Sequence, residues 1–222
     1  MKQQARHLCA FIKMLIPPKD VVELLHQVGI SITGALHIGA HDCEELPFYI
    51  SLGLRANDVV WIDALQNKVD EARARNIPNV HQAVITNKDN DTVEFNVSNN
   101  VQSSSIFEFG THAAHHPHVH YVNKKTLTTT TIDTFMTANA LNAAKYNFWN
   151  FDIQGAELLA LEGAHASIVG VDAMYLEVNT EEVYKGCGKI EQIDSFLGSK
   201  GFIRIKTDIT PYGWGDALYI KK

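Results

Sequence analysis

Apolar residues along this chain follow two spacings. Short unbroken apolar runs closing on glycine or an acid read as buried strands, and runs with apolar positions three and four apart read as helices. GALHIGA (Gly34–Ala40) is the first such strand. DCEELPFYISLG (Asp42–Gly53) follows with helical spacing of Leu46, Tyr49, Ile50 and Leu52, and stops at Gly53. DVVWIDAL (Asp58–Leu65) is a second strand, NKVDEARARN (Asn67–Asn76) a helix with an exposed charged face, and NVHQAVIT (Asn79–Thr86) a third strand. Ahead of them, Asp20 is placed to cap a helix, VVELLHQVG, that Gly29 ends. Strands and helices taking turns in this way predict a doubly wound, mostly parallel sheet.

The pattern then changes. DTVEFNVS (Asp91–Ser98) alternates strictly and predicts an extra, half-exposed strand, and a long loop rich in Ser, His and Asn covers residues 99–117. HVHYVNKKTLTTTTID resumes β-type sequence, and Asp133 begins a helix, TFMTANAL. NFWNFDIQGAE (Asn147–Glu157) is a buried strand ending at Asp152, with a helix opening at Gly155 and running through Ile168. VDAMYLEV (Val171–Val178) is a fifth parallel strand, and IEQIDSFLGSKG a last helix. FIRIKTDI and DALYIKK close the chain as two strands joined by the turn TPYGWG, so that one of them runs antiparallel. Residues 1–222 read as one domain, a helical N-terminal extension over 1–30 and an α/β core over 34–222.

Composition narrows the function classes. With 45% hydrophobic residues among 222 the chain can bury a sizeable core. The formal charge of −6 works against phosphate-backbone binding, so nucleic acid is not favoured as a partner. Cys9, Cys43 and Cys187 form no CxxC pair, which argues against a disulfide framework and suits a reducing, cytoplasmic setting. The apolar N-terminal part, Leu8–Ile16, is interrupted by Lys13 and followed by no small-residue cleavage site. It reads as an amphipathic helix stopped before Pro17-Pro18 rather than as a signal peptide. No stretch approaches the roughly 20 apolar residues of a membrane span.

Candidate chemistry lies at the carboxyl ends of the expected strands, where open α/β sheets bind ligands. The first turn holds Gly39, with Ala40, His41 and Cys43 around it, not the several glycines that a pyrophosphate cradle needs. Asp63 ends the second strand, placed to bind ribose hydroxyls; with no phosphate cradle this suits S-adenosylmethionine, and the alternative is a tight turn with an incidental Asp. Asp152, Glu157 and Glu177 end or follow neighbouring strands. Asp152 is either a pocket acid, the cap of the next helix, or both. THAAHHPHVH (Thr111–His120) holds five of the eleven histidines. A metal is not favoured there, because no second ligand pair follows; a polar loop covering a pocket is the preferred reading. Ser103, Ser104 and Ser105 are candidates to hydrogen-bond a hydroxyl-rich substrate. Trp61 and Trp149 read as core, and Trp214 either as core or as a stacking surface.

The series HIGAH…WIDA…SSSI…TIDTF…FDIQGAELLALEGA…YLEVN…GWGDALYI resembles the FkbM-type methyltransferase family over about Gly34 to Ile220. FDIQGAELLALEGA is its most specific piece. The resemblance implies a class I methyltransferase-like (Rossmann-like) fold: a seven-stranded sheet with an antiparallel C-terminal hairpin. It implies S-adenosylmethionine-dependent O-methyl transfer to a sugar, glycan or other small hydroxylated acceptor. Carried over by position, Gly39, Ala40 and His41 form the cofactor loop and Glu44 lies beside the methionine moiety. Asp63 holds the ribose, Ala64 after it is a further cofactor contact, Ala83 lies near the adenine, and Asp152 sits next to the transferring methyl. Two positions depart from the family pattern: His37 replaces an acid and Cys43 a glycine.

An alcohol is a weak nucleophile, so a positioned base should take its proton. Asp152 is the first candidate, with Glu177, His112 and His116 behind it. Glu157 and Trp214 are candidate acceptor contacts, with Glu157, one helical turn in, read more readily as an acid that anchors its loop. A divalent cation on the three acids is possible but not favoured. The rival readings are a nucleotide- or NAD-binding enzyme on the same sheet, a non-catalytic module that keeps the fold, and an RNA methyltransferase. The acceptor's identity and the oligomeric state are open at this level.

Overall fold

The computed structural model describes residues 14–222, so the helix expected from Leu8 and the thiol of Cys9 fall outside the described residues. Helix α1 (Pro18–Gln27) opens with proline in its first turn, where a missing N–H costs nothing. Asp20 does not cap it: the N-cap is Pro17, and Asp20 lies inside the first turn. Strand β1 (Ala35–Ile38), helix α2 (Leu46–Ser51), strand β2 (Val59–Asp63), helix α3 (Gln66–Ala74) and strand β3 (Val80–Gln82) follow as the apolar spacing requires. NVHQAVIT is not one strand. After β3 the chain turns at Ala83, whose amide donates to the Asp63 carbonyl at 3.1 Å, and β4 (Val84–Ile85) joins a different sheet.

Strand β5 (Thr92–Ser98), short helix α4 (His112–His115) and strand β6 (Tyr121–Thr130) come next, and β5 and β6 pair antiparallel. Helix α5 (Ile132–Ala138) is capped by Thr131, not begun by Asp133; the Asp133 carboxylate accepts from the Ala166 and Ser167 amides, both at 2.8 Å. Strand β7 (Phe148–Phe151) leads to helix α6 (Glu157–Glu162), which stops at Gly163 well short of Ile168. Strand β8 (Ala173–Asn179), helix α7 (Ile190–Ser199), strand β9 (Phe202–Ile209) and strand β10 (Trp214–Lys221) complete the chain.

Seven strands make the main sheet in the order β3-β2-β1-β7-β8-β10-β9. β10 runs antiparallel to both β8 and β9, and the remaining pairs are parallel. This is the class I arrangement expected above. β4, β6 and β5 form a separate three-stranded sheet. β1, β7 and β8 are buried at every position, as strands covered on both faces must be. Alternation along them feeds two cores. Leu36, Ile38, Val60 and Trp149 pack toward α5, α6 and α7. Ala35, Val59, Trp61 and Phe148 pack toward α1, α2 and α3. No described helix is long and apolar enough to cross a membrane.

His37 sits in the second core, 2% exposed, its ring 4.9 Å from that of Trp61. The Tyr49 hydroxyl accepts from Asn150 Nδ2 at 2.9 Å and so has its proton free to donate to His37 Nδ1 at 2.7 Å. That leaves the imidazole proton on Nε2, aimed at the Gly39 carbonyl 3.3 Å away. Burial drives the imidazole pKa down from 6.5 to about 4, against the partial compensation of nearby Asp152 and Glu44. Between those two values the unfolded chain binds more protons than the folded one, so His37 contributes stability above pH 6.5 that is lost as pH falls toward 4. Urea unfolding should show this as a falling midpoint across that window, flattened in His37→Gln; an identical pH slope in both proteins would contradict it.

Candidate functional site

A cleft opens at the carboxyl ends of β1, β2, β7 and β8. Its floor is set by one close approach. Gly39, at φ +97°, lets the turn after β1 lie against the turn after β7: a Cβ there would stand 1.9 Å from the Asp152 carbonyl oxygen. The Asp152 amide returns the contact to the Ile38 carbonyl at 2.9 Å. Only glycine fits, because the position is both left-handed and sterically closed.

The turn after β1 is shaped by acids. Asp63 Oδ2 accepts from the His41 amide and Oδ1 from the Leu65 amide, both at 2.8 Å. Burial raises the Asp63 pKa against those bonds. Burial alone would raise Glu44 too, but hydrogen bonds from His41 and the Asp42 amide outweigh it and hold the carboxyl down to about 2. His41 moves the other way: burial lowers its pKa, and the bond to Glu44 at 3.3 Å more than offsets that. The imidazole and the carboxyl face each other at the cleft wall. Gln102 Nε2 adds a bond to Glu44 at 3.2 Å. Glu45, one residue on, is pushed by burial and by the Glu44 charge to about 8.

On the far side, Glu177 is 6% exposed on β8, opposite Asp216 of β10. Burial, then the charges of Asp152 and Glu157, raise the Glu177 pKa well above the ordinary carboxylate value. Glu177 and the exposed Asp152 are bridged by Gln154 Nε2, which reaches Asp152 Oδ1 and Glu177 Oε2. Asp216 Oδ2 accepts from the Leu15 amide at 2.6 Å and from the Tyr175 hydroxyl.

Gly39, His41, Glu44, Asp63, Ala64, Ala83, Ser104, Asp152 and Glu177 all face the cleft. The other expected residues do not line it. Ala40 is buried behind the loop, in the core around Tyr49 and Trp61. Ser103 accepts from Asn100 Nδ2 at 3.1 Å, and Ser105 donates to the Gln154 carbonyl at 2.8 Å. Glu157 is 1% exposed, accepts from the Ile153 and Gly155 amides, and shapes the turn from behind. Trp214 packs with Val183, Tyr184 and Cys187. His112 stacks on Phe109 at 4.2 Å, with His116 beside it at 5.0 Å. Among the described residues the histidine-rich segment forms no metal-ligand group; the group that does, His41, Asp42 and Glu44, lies on the cleft loop.

Glu45, Gln102, Gln154, Tyr175 and Asp216 also line the cleft and were not singled out from the sequence. Two had a signal. Tyr175 shares a strand face with Glu177 by its spacing of two, and Gln154 lies inside FDIQGAE.

The donor set suits an adenosyl sulfonium ligand. Six carboxyl groups line the cleft, and among the described lining residues there is no Lys or Arg to meet a pyrophosphate. Asp63 keeps lone pairs for a ribose diol, and Ile62, Leu65, Ala83 and Ile85 give an apolar slot beside it.

No curated protein matches the chain. Among solved structures it is similar to magnesium protoporphyrin IX methyltransferase from Synechocystis PCC 6803, at 12% identity over 92% of this chain and 78% of that one, TM-score 0.47. A SAM-dependent methyltransferase from Aquifex aeolicus is 13% identical over 92% and 89%, TM-score 0.42. An O-methyltransferase from Bacillus cereus is 13% identical over 91% and 79%, TM-score 0.45. The methyltransferase FkbM domain matches residues 37–204, well over half of the sequence. The chain belongs to the FkbM methyltransferase family, and its cofactor is S-adenosylmethionine.

Proposed function

We propose that this methyltransferase moves the methyl group to a hydroxyl of a small hydroxylated acceptor, a sugar or glycan first among them. The observation that carries this reading is the exposed Asp152 carboxylate in the cleft, bridged through Gln154 to the buried Glu177. An ionised carboxylate open to the acceptor side is the group that a hydroxyl nucleophile requires. When bound, the cofactor supplies a methyl group on a positively charged sulfur, already activated toward attack.

This chain's residues do the rest. Asp63 orients the nucleoside, and the carboxyl-rich wall favours a cationic ligand over a phosphate. Asp152 Oδ1 is occupied by Gln154 Nε2, so Oδ2 is the atom that takes the acceptor proton. Ser104 and Gln102 give the cleft rim polar groups for further acceptor hydroxyls. Holding two reactants in line accounts for much of such a rate. A dinucleotide enzyme is disfavoured by the same wall, and RNA methylation by the net charge of −6.

Asp63→Ala should weaken S-adenosylhomocysteine binding by roughly 10- to 100-fold, the loss of hydrogen bonds to a charged group, as read by calorimetry. Asp152→Asn should bind that ligand within a few-fold of wild type yet slow labelled methyl transfer, on a panel of glycans and small hydroxylated acceptors, by about 10²- to 10⁴-fold. Transfer at the wild-type rate by Asp152→Asn would sink the assignment of the base.

A further inference from the structure

Gln154 is held more firmly than a residue on a turn needs to be. It is a non-glycine residue at φ +56°, followed by Gly155 at +99°. Such backbone persists only where its surroundings fix it. Three groups do so. Ser105, fully buried, donates its hydroxyl to the Gln154 carbonyl at 2.8 Å. Glu157 gathers the flanking Ile153 and Gly155 amides at 2.9 and 3.3 Å. Tyr184, 1% exposed, donates its hydroxyl to the side-chain oxygen, Gln154 Oε1. Gly155 lets that tyrosine come close: a Cβ there would stand 3.1 Å from the Tyr184 Cβ and 2.9 Å from the Cys187 Cβ.

The outcome is a fixed amide. Its Nε2 reaches both acids at once, Asp152 Oδ1 and Glu177 Oε2, the latter at 2.6 Å. A primary amide has two N–H donors on nitrogen and acceptor lone pairs only on oxygen. The Tyr184 hydroxyl proton goes to the amide oxygen, so the nitrogen is the end that faces the two acids.

We infer that Gln154 is a positioning residue that holds and aims the Asp152 carboxylate, and that Tyr184 sets the direction of its amide. The role is electrostatic as well as steric. An ionised Asp152 attracts the sulfonium of S-adenosylmethionine, whereas S-adenosylhomocysteine carries a neutral sulfur there. The inference rests on the reading above that Asp152 is the acid nearest the methyl group.

Calorimetric titration with the two ligands tests it in wild type, Tyr184→Phe and Gln154→Met, the last nearly isosteric but without either polar atom. Both variants should bind S-adenosylmethionine about threefold to tenfold more weakly, the worth of one hydrogen bond, with S-adenosylhomocysteine binding within twofold of wild type. A residue that merely supported the fold would weaken both ligands together, and that result overturns the inference. So does wild-type discrimination in both variants. Thermal unfolding confirms that each variant is folded, and should Tyr184→Phe not fold, Gln154→Met alone decides. A wild-type protein that does not distinguish the two ligands overturns the reading of Asp152, and this inference with it.

Discussion

The contact between Gly39 and the Asp152 carbonyl is the constraint on which the site depends. Two neighbouring parallel strands, β1 and β7, must end with their following turns almost touching, and only a residue without a side chain permits it. Once those turns meet, the loop carrying His41 and Glu44 is set against the loop carrying Asp152 and Gln154. The adjoining strands β2 and β8 then bring Asp63 and Glu177 to the same end. Four acids from distant stretches of sequence come together because parallel strands place their carboxyl ends on one edge.

Bringing acids together raises an electrostatic problem, and the fold meets it in different ways at each position. Glu44 stays ionised through His41 and a backbone amide. Burial raises the pKa of both Glu177 and Glu45, that of Glu45 to about 8. Asp63 is tied to two amides, which orient it without using up its lone pairs. The cleft thus presents carboxyl groups whose pKa values are pushed in opposite directions. The hydrogen-bond donor Gln154 sits where two of those groups approach each other.

Much of this architecture was legible from periodicity. Continuous apolar runs ending in Gly39, Asp63 and Asp152 gave the buried strands and the edge at which chemistry belongs. The break after Ala83 was not legible, because NVHQAVIT is apolar at positions that suit either sheet; the tertiary pairing of Val84 and Ile85 with Thr129 and Thr130 decides it. Glu157 reads from the sequence either as an acceptor contact or as an acid anchoring its own loop, and the structure gives the second, its carboxylate on the Ile153 and Gly155 amides. The histidine-rich segment misled by composition. His112 stacks on Phe109 beside Tyr184, and His115 and His116 lie against Tyr212, aromatic partners that only the fold brings to them. Tyr184 itself lies thirty residues from Gln154 in sequence, and no local pattern links the two.

The central claim is that these strand ends form one cofactor site running from Asp63 to Asp152. A crystal structure with S-adenosylhomocysteine bound tests it most directly. The account predicts the ribose hydroxyls on the Asp63 carboxylate, the adenine against Ala83 and Leu65, and the sulfur facing Asp152. A nucleoside bound elsewhere on the sheet, or bound in the cleft with Asp63 out of hydrogen-bond reach, would contradict it.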